Sequence, residues 1–339
     1  MTNKVNVGLI GAGRIGRVHA ENLIYRIPEA KLLAVSDVFL EAAEKCAADF
    51  QIPTAVKDHR VILENKAIEA VIICSSTDTH AQFIIEAAAA GKHIFCEKPI
   101  ALDLPKIDEA LAAVEQNRVK LQIGFNRRFD PNFKHVHELV AAGKIGAPHL
   151  VRITSRDPAP PPVDYIKVSG GIFLDMTIHD FDMARYLIGS EVGEIYAAGA
   201  VLVDPAIGTA GDLDTAVITL RYTSGAIGTI DNSRRAVYGY DQRVEVFGSE
   251  GGIVVANNTP HKAVYSNTEG SHSALPLYFF LERYTEAYVA ELKAFIEAIR
   301  HDTPPPVTGL DGRIPVVMGL AAWTSYRENR PVKLSEISA

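Results

Sequence analysis

The chain is poor in cysteine. Three residues, Cys46, Cys74 and Cys96, are spread over 339 positions, with no CxxC and no finger-like spacing. An odd, scattered count excludes a disulfide framework and a structural zinc finger, and it leads us to expect a reducing, cytoplasmic compartment. Cys74 and Cys96 each end an apolar run, where a free thiol behaves as a small hydrophobe. Long apolar runs are also missing. None approaches the roughly 18 residues of a membrane helix. The first apolar stretch has no basic leader and is interrupted by Gly11, Gly13 and Arg14, so neither signal peptide nor membrane anchor is expected. Basic excess is missing too: Lys and Arg number 34 against 41 Asp and Glu, a formal charge of −7. With no concentrated basic stripe, nucleic acid is excluded as the expected partner. There is no internal repeat and no long low-complexity tract.

What remains is an ordinary globular composition, 47% hydrophobic and 22% charged, long enough for two domains. Through residue 125 short apolar runs alternate with helical stretches. The strands are Val5 to Ile10, Leu32 to Ser36, Val71 to Cys74, His93 to Cys96 and Lys120 to Phe125. The helices are Ile15 to Ile24, Glu41 to Phe50, Ala81 to Ala90 and Leu104 to Asn117. That order predicts βαβ units and a parallel sheet. Beyond residue 125, Thr215 to Arg221 and Arg243 to Phe247 alternate apolar and polar residues between Gly-rich turns, which predicts an antiparallel sheet with one buried face. A rigid loop is expected at Pro158 to Pro162. The fold class expected is α/β: a Rossmann domain with a parallel sheet at 1–125, followed by an α+β domain with a largely antiparallel open sheet at 126–339. A last helix is expected at about 310–326.

Gly11-Ala12-Gly13-Arg14-Ile15-Gly16 follows the first strand and opens the first helix, the context in which GxGxxG binds a dinucleotide. Gly11 permits the tight turn, Gly13 lets the backbone approach a pyrophosphate, and Gly16 lets helix and strand pack closely. Asp37, at the end of the second strand, stands where a carboxylate binds ribose hydroxyls and repels a 2′-phosphate. Val38 and Phe39 offer no arginine for such a phosphate, so NAD is expected over NADP. Ser75, Ser76 and Thr77, at the next strand end, fall where a cofactor-lining loop belongs. His80, a turn later, either touches the cofactor or caps.

Gly170 to Ile188 reads as one helix with a polar stripe. At 100° per residue from Met176, Asp175 falls at about 260°, His179 at about 300°, Asp182 at about 240° and Tyr186 at about 280°, with Asp180 apart at about 40°. Asp175 and His179 are one turn apart, and a carboxylate beside an imidazole makes a general base. The alternative is a solvated helix face, against which the apolar surroundings and Gly170-Gly171 argue. Zinc on Asp175 and His179 has no third ligand at a convincing spacing, so no metal is expected. Asp180 points toward the apolar side and requires a buried partner. Glu97-Lys98-Pro99 ends another strand, at the sheet edge where such folds bind ligands; a lysine there can polarise a substrate oxygen, and Pro99 fixes the turn, with both cis and trans open to the bond before it.

Together these residues resemble the Gfo/Idh/MocA family of NAD(P)-dependent sugar and polyol dehydrogenases, over nearly the whole chain. The resemblance rests on Gly11 to Gly16, Gly91 to Pro99, Gly124 to Asp130, Gly170 to Asp182 and the helix from Gly309 to Ala322. Phe125 to Pro131, Gly171 to Tyr186, Asp231 to Ser233 and Tyr238 to Arg243 look most like the members that oxidise inositol. The resemblance implies Lys98, Asp175 and His179 as the catalytic group. It implies Gly11, Ala12, Gly13, Arg14, Ile15, Gly16, Asp37, Ser75, Ser76, Thr77, His80, Glu97 and Lys98 at the cofactor. Arg127, Asp157 and Tyr238 or Tyr240, with the catalytic three, are implied at a polyol pocket. The last helix is implied to pack back on the first domain, and a homotetramer is implied through the open sheet face. The expected reaction is NAD-linked oxidation of a ring hydroxyl of a cyclic polyol, myo-inositol first. The alternatives are another inositol isomer or an aldose, or, in a different class, a nucleotide-sensing protein without catalysis, against which the joint presence of Lys98, Asp175 and His179 weighs.

Overall fold

A computed structural model describes residues 4–337. In chain order the elements begin β1 (Val5–Ile10), α1 (Arg14–Tyr25), β2 (Ala30–Ser36), α2 (Leu40–Phe50), β3 (Thr54–Val56), α3 (Arg60–Glu64), β4 (Ala70–Ile73), α4 (Thr77–Ala89), β5 (His93–Glu97), α5 (Leu104–Asn117) and β6 (Leu121–Gly124). Then come α6 (Pro131–Ala141), β7 (Pro148–Arg156), α7 (Val163–Ile166), α8 (Gly171–Asp175), α9 (Thr177–Ile188), β8 (Val192–Ala200), α10 (Pro205–Thr209), β9 (Thr215–Tyr222), β10 (Ile227–Ser233), β11 (Asp241–Gly248) and β12 (Gly252–Val255). A hairpin of β13 (Val264–Asn267) and β14 (Gly270–Ser273) precedes α11 (Phe280–Arg283), α12 (Thr285–Arg300), α13 (Gly309–Glu328) and β15 (Val332–Lys333).

The chain divides into two compact units, Met1–Phe129 with Glu286–Val316, and Asp130–Thr285 with Val317–Ala339. The sequence reading expected the last helix to pack back on the first domain and did not place α12; both α12 and the first part of α13 belong to the first unit. The reason lies in its core. Leu292, Phe295 and Ile296 of α12 are buried in one apolar cluster with Val5, Val7, Leu9, Ile72 and Phe95, and the Phe295 ring lies 6.0 Å from that of Phe95. Gly309 and Gly312 let α13 lie close to its neighbours in this unit: a Cβ on Gly312 would stand 2.7 Å from Ile100 and 2.9 Å from Ile123.

The first sheet is parallel throughout, in the order β3-β2-β1-β4-β5-β6. The connection from β1 goes to one side and β4 lies on the other, so the crevice at the carboxyl ends of β1 and β4 is the switch point at which such sheets bind ligands.

The second sheet has the order β12-β11-β7-β10-β9-β8-β15, antiparallel except for the β7–β10 pair. Its strands alternate: Ala216, Ile218 and Leu220 of β9 and Val244 and Val246 of β11 are buried, whereas Val217 and Phe247 are exposed. Helix α9 packs on the buried face, against β7 and β10.

Candidate active site

In the first unit the glycines do three different things. Gly11 turns the chain after β1 with φ of 100°, and a Cβ there would lie 2.5 Å from the Cys74 carbonyl oxygen. Gly16 presses α1 onto that turn, since its Cβ would stand 2.0 Å from the Gly11 carbonyl oxygen. Gly13 faces open space, with nothing within 4 Å of the Cβ position, and it occupies the N-cap of α1 without any side-chain cap. The amides of the first turn, at Arg14 and Ile15, are therefore presented to a volume that could hold a phosphate.

Asp37 follows β2 and braces this loop. It accepts from Ala12 N at 2.8 Å and from Phe39 N at 2.9 Å. Val38 and Phe39 are exposed beside it, and neither is basic. The open glycine cradle, the uncapped helix start and the half-buried carboxylate fit NAD, with the pyrophosphate at Gly13 and the ribose at Asp37.

Ser75 and Thr77 are half-buried at the end of β4, and Ser76 is exposed at the N-cap of α4. Ser75 Oγ lies 2.7 Å from Thr79 Oγ1. His80 joins two loops of the first unit. It is buried, with Nδ1 2.8 Å from the Pro99 carbonyl oxygen and Nε2 3.0 Å from that of Ser75. Both nitrogens are thus engaged by backbone, and the imidazole ties the loop after β4 to the loop after β5. Burial lowers its pKa, against the opposing pull of the two carbonyls.

Glu97 ends β5, and half-buried Lys98 follows it through a cis bond to Pro99. Arg127 is buried in a short 3₁₀ turn, Asn126–Phe129, beyond β6; its neighbour Arg128 pairs with Asp311 at 2.9 Å.

In the second unit the expected single helix is broken. Gly170 and Gly171 both have positive φ, and α8 ends at Met176, whose φ of −96° and ψ of −59° separate it from α9. The stripe survives the break in altered form. Asp175, His179 and Tyr186 are half-buried and Asp182 is fully buried, whereas Ile178, Phe181, Met183 and Leu187 are buried in the core. This is no solvated helix face. Tyr186 stacks on His137 with ring centroids 3.9 Å apart.

Asp175 has partners that the sequence reading missed. Its carboxylate accepts from the Tyr165 hydroxyl at 2.8 Å and from Arg234 at 3.3 Å, and Arg234 also reaches Asp212 at 3.1 Å. Asp212 in turn accepts from Ile172 N at 2.8 Å, which fixes the start of α8. Strand parity carried the signal: Ile230, Asn232 and Arg234 lie at alternate positions, all on the inward side.

The partner of Asp180 is Asn232, whose amide donates to it at 2.8 Å while its carbonyl oxygen accepts from Thr177 at 2.6 Å. Asp157 follows β7; its backbone donates to Ser233 and accepts from Ala236. Tyr238 lies in an ionic network, accepting from Arg156 at 3.1 Å and donating to Asp241 at 2.7 Å. Burial would raise the Asp241 carboxyl, but hydrogen bonds from Arg243, Tyr238 and Asn257 hold it below the usual range. Tyr240 is buried edge-on to Tyr284.

All three cysteines are free and buried. Among the described residues the one cluster of three or more His, Cys, Asp and Glu close enough for a metal is His19, Glu97 and Glu291.

The parallel sheet with its glycine cradle and the α9-backed antiparallel sheet define a two-unit nucleotide-dependent oxidoreductase. Residues 5–125 match the model of the oxidoreductase family with an NAD-binding Rossmann fold, and residues 133–254 match its C-terminal domain, so the chain belongs to the Gfo/Idh/MocA family. Three relatives refine this. The chain is 53% identical over 333 residues to the myo-inositol 2-dehydrogenase of Thermotoga maritima, spanning 98% of this chain and 99% of that protein. It is 47% identical over 332 residues to an inositol 2-dehydrogenase of Rhizobium meliloti, spanning 98% and 99%. The crystal structure of scyllo-inositol dehydrogenase from Lactobacillus casei, with bound NAD(H) and scyllo-inositol, superposes with a TM-score of 0.92 at 30% identity, covering 98% of this chain and all of that one.

Proposed function

We propose that the protein oxidises a ring hydroxyl of a cyclic polyol with NAD, converting myo-inositol to 2-keto-myo-inositol (scyllo-inosose). The observation that carries this reading is the presence of Lys98, Asp175 and His179 in a chain 53% identical along its length to a myo-inositol 2-dehydrogenase. When bound, NAD supplies the hydride acceptor. His179 takes the proton of the reacting hydroxyl. Asp175, held by Tyr165 and Arg234, orients the imidazole and stabilises its cationic form. Lys98 stabilises the oxygen as it becomes a carbonyl. Arg127, Asp157 and Tyr240 line the polyol pocket, and Tyr238, whose hydroxyl is already engaged twice, contributes through its network. Gly11 to Gly16, Asp37, Ser75 to Thr77 and the Glu97-Lys98 pair line the cofactor.

A second substrate, scyllo-inositol, is favoured by the L. casei relative crystallised with it. We further place the protein in the cytoplasm, since three free buried thiols suit a reducing compartment. A homotetramer is supported by the outer face of the second sheet, where Val217, Ile227, Phe247 and Val254 are exposed together. Light scattering at about four times the 36.8 kDa chain mass is expected.

The test is a panel of myo-inositol, scyllo-inositol, glucose, galactose and xylose with NAD or NADP, read by absorbance of the reduced nicotinamide. NAD-linked turnover greatest on myo-inositol is expected; activity confined to an aldose refutes the substrate. His179→Ala is expected to lose about 10² to 10⁴ in kcat, and full turnover in that variant at neutral pH refutes the base.

A further inference from the structure

Glu291 is out of place on the helix that carries it. On α12 the buried side chains Ala287, Tyr288, Leu292, Phe295 and Ile296 make an apolar stripe, and Glu291 falls inside it with no exposed surface. Neither carboxylate oxygen meets a hydrogen-bonding group of the protein among the described residues. One of them lies in a cluster with a ring nitrogen of His19, from α1, and a carboxylate oxygen of Glu97, from β5, all within 4.8 Å of one another. His19 Nε2 is 2.7 Å from Glu97 Oε1, and its ring stands edge-on to Phe95 and Tyr288. The backbone carbonyl of Glu291 accepts from Gln122 of β6 at 2.8 Å, which fixes this turn of α12 on the sheet.

Two carboxylates this close, one of them fully buried, do not both ionise without a compensating cation or proton. The geometry selects the proton. At 2.7 Å the His19–Glu97 contact is a hydrogen bond, so a proton lies between the ring nitrogen and the carboxyl oxygen, where a metal would need the lone pairs of both. We propose that His19, Glu97 and Glu291 form a buried proton-holding cluster in which Glu291 is a neutral carboxylic acid, and that it positions Glu97 and thereby the end of β5 from which Lys98 projects.

The proton comes from hydronium in bulk water as the fold closes over Glu291: one O–H bond of hydronium breaks, one O–H bond forms on the carboxylate, and water is left. Burial and then the Glu97 charge push the Glu291 carboxyl well above its usual range. The groups that face the cluster are His19 from α1, Glu97 and Cys96 from β5, Cys74 after β4 and Tyr288 from α12. Burial and the neighbouring carboxylates raise both thiols well above their ordinary values, which keeps them uncharged. With its folded value raised, Glu291 contributes stability that is complete below the unfolded carboxyl value of about 4.3 and is lost as pH rises toward the folded one.

The link to Lys98 rests on the role proposed for that lysine; the protonation of Glu291 does not, so its readouts stand even if no polyol is turned over. In the full-length protein with NAD, infrared difference spectra of wild type against Glu291→Gln at neutral pH are expected to show a protonated carboxyl band in the wild type alone. The thermal midpoint of the wild type should fall as pH rises above about 4.3 while that of Glu291→Gln stays flatter. Glu291→Ala should lower kcat by about tenfold with a smaller change in KM, and Glu291→Gln should restore most of it. No such band, or one equivalent of a divalent metal per chain by elemental analysis, overturns the proton assignment. Equal losses of kcat in the Ala and Gln variants overturn the positioning role.

Discussion

Arg234→Met removes the guanidinium that joins Asp175 to Asp212. Arg234 is 1% exposed, and the two carboxylates are 14% and 4% exposed. A methionine fills much of the same volume, so the loss is electrostatic rather than a cavity. Breaking a buried ion pair from one side costs about 3 to 5 kcal/mol, because a charge is left buried without its partner. Asp175 retains some contact with solvent, which favours the lower end, and Asp212 accounts for most of the loss. A surface pair of the same kind would cost about 1 kcal/mol or less, so the two cases are separable by equilibrium urea unfolding. Asp212→Asn in the Arg234→Met background removes the stranded charge and keeps an acceptor for Ile172 N, so part of the stability should return. A loss below about 1 kcal/mol, with no recovery in the double variant, refutes the reasoning. Turnover should fall as well, since Asp175 loses one of its anchors.

Gly16→Ala places a methyl group 2.0 Å from the Gly11 carbonyl oxygen and must move α1 off its turn; NAD affinity measured by calorimetry should weaken by about tenfold or more, and an unchanged Kd contradicts the packing role given to Gly16. Asp214 is buried. Burial would raise its carboxyl, but the amides of Leu202, Val203 and Asp204 and the Thr215 hydroxyl hold it below the ordinary value. A lowered folded value contributes stability above the unfolded value of about 3.9 that is lost as pH falls through the folded one, so Asp214→Asn should be less stable at neutral pH and show a shallower acid transition. An unchanged acid limb in that variant refutes the assignment.

The sequence pattern reached β1 and α5 to the residue, because strand and helix there are bounded by sharp signals: Gly11 closes β1 and Asp103 caps α5, accepting from Lys106 N. It missed β3 and α3, which have three and five residues and too little periodicity to register. It placed the start of α4 at Ala81, the first apolar position, whereas the helix begins at Thr77 in a polar turn. Asp175 and His179 were legible from their spacing. Arg234, Tyr165 and Asp212 were not, because their link to Asp175 arises only when β10 and the segment before α8 are brought together. Asp231 and Asn232 show why one residue of register matters: Asp231 turns outward to Arg156, and Asn232 turns inward to Asp180.

The assignment of α12 to the first unit has a consequence for synthesis. When residue 129 leaves the ribosome, every strand of the parallel sheet has been made, yet Leu292, Phe295 and Ile296 have not. The apolar surface they cover, including Phe95, must wait in water while more than 150 further residues are translated. A pulse of protease is therefore expected to cut the nascent Rossmann sheet readily until the chain has passed residue 296. Fragments that stop at the apparent end of the nucleotide-binding half should be insoluble, and restoring 286–316 as a separate peptide should rescue them.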